Sequence, residues 1–326
     1  MNCAARLVTL VLLTALASYA ETQNAGFSEL KIDNGSNKPL IIGVWYPTSA
    51  TAQSHPLGLL VQTVALDGPV AGRRLPLIVI SHGTSGSYQA HYDTALALAK
   101  AGFVVATVSH TGDTFDDQSR AGHIMDRPQH IHRLIDYMLT EWPNRARIDA
   151  SRVGMFGFSA GGFTTLVSIG GVPDFSLIPA HVQAHPDYFD SQLIKRTGAT
   201  LEDAQTRPVH DSRIKAAVIA APALGFTFGH EGLKDITVPI QLWRAEDDHI
   251  LPTPDYADAV KVSLPRSAEF HLVRNADHFD FLAPCSDQLR QTVPEICTSR
   301  ADFDRIVFHQ AFNHEVVRFF ERTLQK

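Results

Sequence analysis

The sequence predicts a doubly wound α/β fold: one large domain with a mostly parallel sheet of about eight strands. Three observations carry this. Short, fully apolar runs suited to strands buried on both faces recur along the chain, as at Leu75 to Ser81 and Val153 to Phe158. Segments of helical spacing lie between them, the clearest placing Ile131, Leu134, Ile135, Met138, Leu139 and Trp142 on one face. One strand-to-helix turn reads Gly157-Phe158-Ser159-Ala160-Gly161.

Taken in order, the expected strands begin with Phe27 to Ile32 and Leu40 to Tyr46, an antiparallel pair at the sheet edge. Leu75 to Ser81, Phe103 to Ser109, Val153 to Phe158, Lys215 to Ala221, Pro239 to Arg244 and Ala268 to Val273 follow, separated by helices as a parallel sheet requires. Arg127-Pro128 suits the first turn of the Ile131 helix, where a missing N–H costs nothing. A last helix carries Phe308, Phe312, Val316, Phe319 and Phe320 and is expected to pack on the sheet. His110 to Arg127 is a long loop, and loops of that length are commonly functional. Its Asp113, Asp116 and Asp117 are candidates either for substrate contact or for a solvated turn.

The Gly-x-Ser-x-Gly turn between a strand and a helix points to a nucleophile held on a strained elbow. Side chains at Gly157 or Gly161 would collide with the neighbouring strand and helix, and the turn lifts the Ser159 hydroxyl clear of the sheet. A serine hydroxyl needs a histidine base and an orienting carboxylate, here in the chain order Ser, Asp, His. The strand Val238 to Arg244 ends in Glu246-Asp247-Asp248, and Asp248 is the expected acid, with Asp247 the alternative. Among 16 histidines, His278 is selected because it falls in the loop after the last expected strand. The amides of Ala160, at the helix start, and Thr84, after His82-Gly83, are the expected oxyanion donors. His82 is expected to brace that loop rather than act as a base.

With these parts the chain resembles the α/β-hydrolase superfamily, in particular its dienelactone-hydrolase-like group and the secreted bacterial esterases related to platelet-activating-factor acetylhydrolase. The residues that carry the resemblance are Gly43-Val44-Trp45-Tyr46-Pro47, Ser81-His82-Gly83, His110-Thr111-Gly112-Asp113, Arg127-Pro128, Gly157 to Gly162, Asp248 and Asp277-His278-Phe279. Thr111, where a proline is usual, and His130, where an acidic residue is usual, depart from the group's pattern. The resemblance implies a cofactor-free serine ester hydrolase acting on small or medium acyl esters, with phospholipid acyl groups and polyesters within the class. A peptidase or amidase using the same triad, and a hydrolase-fold binding protein without catalysis, are the alternatives. In such folds an insertion at Val172 to Arg213 commonly caps the active-site mouth, so a small helical cap is expected there; a surface excursion is the alternative.

Residues 1–20 read as a secretory signal peptide: Arg6, then the apolar run Leu7 to Leu16, then Ala17-Ser18-Tyr19-Ala20. Of the three cysteines, Cys3 precedes that run, leaving Cys285 and Cys297. An even pair in an oxidising compartment implies a disulfide just after His278. No transmembrane segment is expected after removal of the leader. No metal site is expected, since no ligand-spaced cluster accompanies the cysteines. The formal net charge of -6 argues against a nucleic-acid partner.

Overall fold

The computed structural model describes residues 24–35, 38–197 and 207–324; the expected leader, residues 1–20, lies outside them. The strands are β1 (Asn24–Ile32), β2 (Leu40–Thr48), β3 (Gln53–Leu57), β4 (Leu60–Leu66), β5 (Leu75–Ser81), β6 (Val104–Ser109), β7 (Ile148–Phe158), β8 (Ile214–Ala220), β9 (Ile240–Ala245) and β10 (Glu269–Val273). They form one sheet in the order β10-β9-β8-β7-β5-β6-β2-β1-β4-β3. From β10 to β6 every pairing is parallel; β2 lies antiparallel on β6, and β1 antiparallel on β2.

The apolar strands bury both faces. Leu77 and Val79 of β5 face one core, while Ile78 and Ile80 face the other. Helices α2 (Asp126–Thr140) and α3 (Ala160–Ser168) close the first core with Ile131, Leu134, Met138, Phe163 and Leu166. Helix α1 (Tyr92–Lys100) and the helix Arg305–Leu324 close the second with Ala95, Leu98, Phe312, Val316 and Phe320. Each large side chain so buried contributes about 1.5–3 kcal/mol.

The sheet has ten strands rather than the eight expected, because the hairpin β3–β4 carries a poor strand signature. Pro56 interrupts β3, which is tolerated because β3 is the edge strand and one face of its backbone needs no partner. In β4 the core-facing positions are Leu60, Gln62 and Val64, and the polar Gln62 breaks the apolar alternation. Its burial is satisfied by the Trp45 indole, whose Nε1–H donates to Oε1 at 2.8 Å. The antiparallel pair β1–β2 therefore lies inside the sheet, not at its edge, with β4 running parallel to β1.

Between α3 and β8 the insertion forms a single turn, Phe175–Leu177, then α4 (Ile178–Ala184), with Pro179 in its first turn, and α5 (Phe189–Thr197). Residues 198–206 of the expected cap fall outside the described residues. Among the described residues no helix is long and apolar enough to cross a membrane.

Cys285 and Cys297 are joined by a disulfide with a Cα–Cα distance of 5.7 Å across 12 residues. Closing a loop of this size removes unfolded-state freedom equivalent to about 3 kcal/mol. Replacing Cys285 with Ser is accordingly expected to lower Tm by about 6 °C, at roughly 2 °C per kcal/mol for a chain this large. Thermal scans of the variant and of reduced wild type check this, and an unchanged Tm in both contradicts it.

Candidate active site

The strand β7 delivers Ser159 to the C-terminal edge of the sheet, and α3 begins at the next residue. Ser159 sits at φ 55° and ψ -118°, a left-handed backbone that a non-glycine residue adopts only when its surroundings enforce it. Here they do. Its N–H donates to Ala220 O at 3.0 Å, and its carbonyl accepts from Gly162, Ala223 and Phe163 at 2.8, 2.9 and 3.2 Å. The flanking glycines are required by contact: a Cβ on Gly157 would lie 2.0 Å from Gly161 O, and one on Gly161 would lie 2.0 Å from Ser81 O.

Three loops converge on this serine. His278, which opens a short turn after β10, approaches with Nε2 3.1 Å from Ser159 Oγ, and its Nδ1 lies 2.8 Å from Asp248 Oδ2. All three residues are buried. The other Asp248 oxygen accepts from the amides of Leu251 and Ile250 at 2.7 and 3.1 Å, so the carboxylate is oriented by its own loop. Its neighbours serve elsewhere. Asp247 is exposed and pairs with Arg300 at 2.6 Å, and Glu246 accepts from the Asn275 amide. The carboxylate on His278 is thus Asp248 and not Asp247. The His278 turn is itself pinned: Asp280, fully buried, accepts from the Asp277 amide, binds Ser299 Oγ and pairs with Arg305 at 3.0 Å.

The expected oxyanion donors, Thr84 and Ala160, both line the same cavity as Ser159. What holds the Thr84 loop is Arg127, read from the sequence only as a first-turn helix residue and part of the family resemblance. Arg127, almost fully buried on α2, donates to His82 O at 2.6 Å and to Gly83 O at 3.1 Å, the two carbonyls immediately before Thr84. The same guanidinium forks onto Asp113 Oδ2 at 2.9 and 2.6 Å, and Asp113 Oδ1 accepts the Ser85 amide at 2.8 Å. Arg127 and Asp113 therefore clamp the loop on both sides of Thr84. His82 braces it from inside: its Nε2 accepts the His110 amide at 3.0 Å, which leaves the proton on Nδ1 for Gly83 O at 2.6 Å.

None of the three loop aspartates offered as substrate contacts lines the cavity. Asp113 is spent on the clamp, Asp116 on the Thr114 hydroxyl, and Asp117 on Lys38 and Ser119. The loop reaches the cavity instead through Ala121, Gly122 and Ile124. Apart from Asp190 the remaining walls are apolar, with Phe175, Ile178, Val182, Phe189 and Leu193 from the insertion and Leu224 and Leu251 completing them, around about 300 Å³ beside Ser159. The sequence signal for these walls was only the scatter of large apolar residues in the insertion.

A chain of buried histidines runs behind the clamp. His110 Nε2 meets Ser81 Oγ at 2.8 Å, and His110 Nδ1 meets His130 Nδ1 at 3.3 Å. His130 stacks on His110 with ring centroids 5.5 Å apart.

No protein-family model matches this chain. It is 25% identical over 224 residues to the Bacillus subtilis (strain 168) protein named "Putative esterase YitV", covering 63% of this chain and 84% of that one. It is 27% identical over 206 residues to the cutinase est1 of Thermobifida alba, covering 62% of this chain and 53% of that one, so the match spans about half of the cutinase. A ferulic acid esterase structure from Streptomyces cinnamoneus superposes with a TM-score of 0.60 at 17% identity, covering 95% of this chain and 92% of that one, which shows a shared fold. The chain is an α/β-hydrolase of the esterase type. The resemblance to the dienelactone-hydrolase-like group is one of sequence motifs alone.

Two expectations follow for the esterase. A lysine at 127 keeps the charge beside Asp113 but cannot fork onto Asp113 and two carbonyls at once. Arg127→Lys is therefore expected to lower kcat about tenfold to a hundredfold, within the range for a disturbed oxyanion site, with KM changed less than about threefold. Steady-state kinetics decide, and an unchanged kcat separates the clamp from the chemistry. The second concerns acid stability. Burial, more than the nearby Arg127 charge, holds His82 and His110 well below the usual histidine value, and burial pulls His130 down to about 4. Between about pH 6.5 and 4 the unfolded chain takes up protons that these folded histidines refuse, so stability falls as pH falls through that window. Tm is expected to decline from pH 7 to pH 5, and to decline less in His130→Gln; equal declines would contradict the assignment.

Proposed function

We propose that this esterase is a secreted serine carboxylic-ester hydrolase acting through Ser159, His278 and Asp248 on small or medium acyl esters. The observation that carries the reading is the continuous hydrogen-bonded series Asp248–His278–Ser159 opening onto an apolar cavity of about 300 Å³. In the reaction, His278 Nε2 takes the hydroxyl proton as Ser159 Oγ attacks the ester carbonyl. Asp248 stabilises the resulting imidazolium, and the amides of Thr84 and Ala160 receive the oxyanion, each such donor being worth about 10²–10³ in rate. Collapse expels the alcohol, which takes the proton from His278. Water then cleaves the acyl-enzyme by the same route.

The insertion acts as a cap, since its Phe175, Ile178, Val182, Phe189 and Leu193 form one wall of the cavity. A cavity near the lower end of the roughly 300–1,000 Å³ range of small-molecule sites suits short to medium acyl groups. A cutinase and a ferulic acid esterase among the similar proteins support ester substrates that include polyesters and aromatic acyl groups. Secretion is supported by the leader-like residues 1–20 and by the disulfide.

Hydrolysis of p-nitrophenyl esters from acetate to palmitate tests this reading. Turnover is expected to peak at a short or medium chain, to fall for palmitate, and to drop by about 10⁴-fold or more in Ser159→Ala. Faster turnover of amides than of esters would move the protein to the amidase class, and activity in Ser159→Ala equal to wild type would remove the proposed nucleophile.

A further inference from the structure

We propose that His181, His185 and Asp255 form a binding site for one divalent transition-metal ion of the zinc class, joining the insertion to the loop that carries Asp248. The sequence His181-Val182-Gln183-Ala184-His185 places two imidazoles four residues apart. On a helix that spacing stacks side chains on one face. The spacing is realised here: the His185 amide donates to His181 O at 2.8 Å, closing the last turn of α4, and the two ring centroids lie 5.0 Å apart. Asp255 joins this pair from the loop after β9, with its Oδ2 3.6 Å from His185 Nε2. That separation is too long for a hydrogen bond. It is close to the spacing of two donor atoms that share one ion.

Across the three residues, one donor atom from each lies within 4.8 Å of the others. Tetrahedral zinc, with bonds of about 2.0–2.2 Å to nitrogen and oxygen, needs donors roughly 3.3 Å apart. The site must therefore contract by about 1.5 Å at most. The movement falls to Asp255 and His185, whose side chains are 26% and 34% exposed, the His185 ring being stacked on Tyr188 at 4.4 Å. His181 supplies the fixed point. Its ring stacks on Phe226 at 3.7 Å, and its Nε2 lies 3.1 Å from the Tyr256 hydroxyl, which in turn donates to Asp190 at 2.9 Å. A ring oriented by a hydroxyl and a carboxylate is the outer support that metal-binding histidines use.

Two imidazoles and one carboxylate favour zinc, nickel or copper over calcium and magnesium, which prefer all-oxygen shells. The other comparable group, Glu269, His271 and Glu315, is unsuited, because Arg318 and Arg322 already occupy Glu269. Placement gives the ion a consequence. Ile178 and Val182 of α4 line the cavity beside Ser159, and Leu251 lines it from the loop between Asp248 and Asp255. An ion held between α4 and Asp255 would tie these two walls together.

Untagged protein, freed of metal with a chelator, is titrated with zinc chloride by calorimetry and by thermal shift, alongside His185→Ala and Asp255→Asn. Both substituted side chains are partly exposed, so the variants are expected to fold. The site predicts one zinc per chain in wild type, a rise in Tm of several degrees with zinc in large excess over its dissociation constant, and affinity at least about tenfold weaker in each variant. No saturable binding up to about 100 µM zinc, or equal affinity in wild type and both variants, overturns it. These readouts are independent of ester hydrolysis, so the site stands or falls apart from the catalytic reading.

Discussion

The backbone of Ser159 is the constraint on which the site depends. A left-handed serine at the end of a buried parallel strand is unfavourable by about 1–3 kcal/mol, and it persists only because its carbonyl receives three amides and its N–H continues the ladder to β8. The same constraint explains the two glycines, whose missing side chains leave room for the carbonyls of Gly161 and Ser81. It also fixes where the partners must arrive. Once the hydroxyl stands at the C-terminal edge of the sheet, the loops at that edge surround it, and those following β5, β9 and β10 carry Thr84, Asp248 and His278.

Two of those loops are anchored by buried charge, while the Asp248 loop orients its carboxylate with its own amides. Arg127 and Asp113 hold the Thr84 loop, and Asp280 with Arg305 holds the His278 turn against the C-terminal helix. Buried ion pairs contribute little net stability, because desolvation offsets the attraction, yet breaking one costs about 3–5 kcal/mol. Their value here lies in position. A guanidinium that donates to two carbonyls and a carboxylate leaves the loop a single geometry, which the proposed oxyanion role of the Thr84 amide requires. The histidines packed behind the clamp are held neutral by burial, so they add no competing charge to it.

The parts of the site bound to a motif could be read from the chain. Ser159 is fixed by its glycines, His278 by its place after the last strand, and the parallel strands by their apolar runs. Four features could not be read. The choice between Asp247 and Asp248 depends on which way adjacent side chains point, and only the fold shows Asp247 turned to Arg300. Arg127 lies 45 residues from the carbonyl of His82 that it holds, so the Arg127-Pro128 motif marks the residue without showing what its side chain reaches. The hairpin β3–β4 was hidden because Pro56 and the core-facing Gln62 contradict a strand locally while an edge position and the Trp45 indole resolve them tertiarily. The approach of Asp255 to His185 was hidden because the two are distant in sequence, although the His181–His185 spacing itself is legible.

The central claim is that the fold activates one hydroxyl, that of Ser159, through His278. Covalent labelling with a fluorophosphonate, followed by peptide mapping, reads this directly in the wild type and in His278→Ala. The structure predicts one adduct per chain, on Ser159, forming about 10³-fold or more slowly without the imidazole. An adduct on another residue, or equal rates in the two proteins, would contradict it.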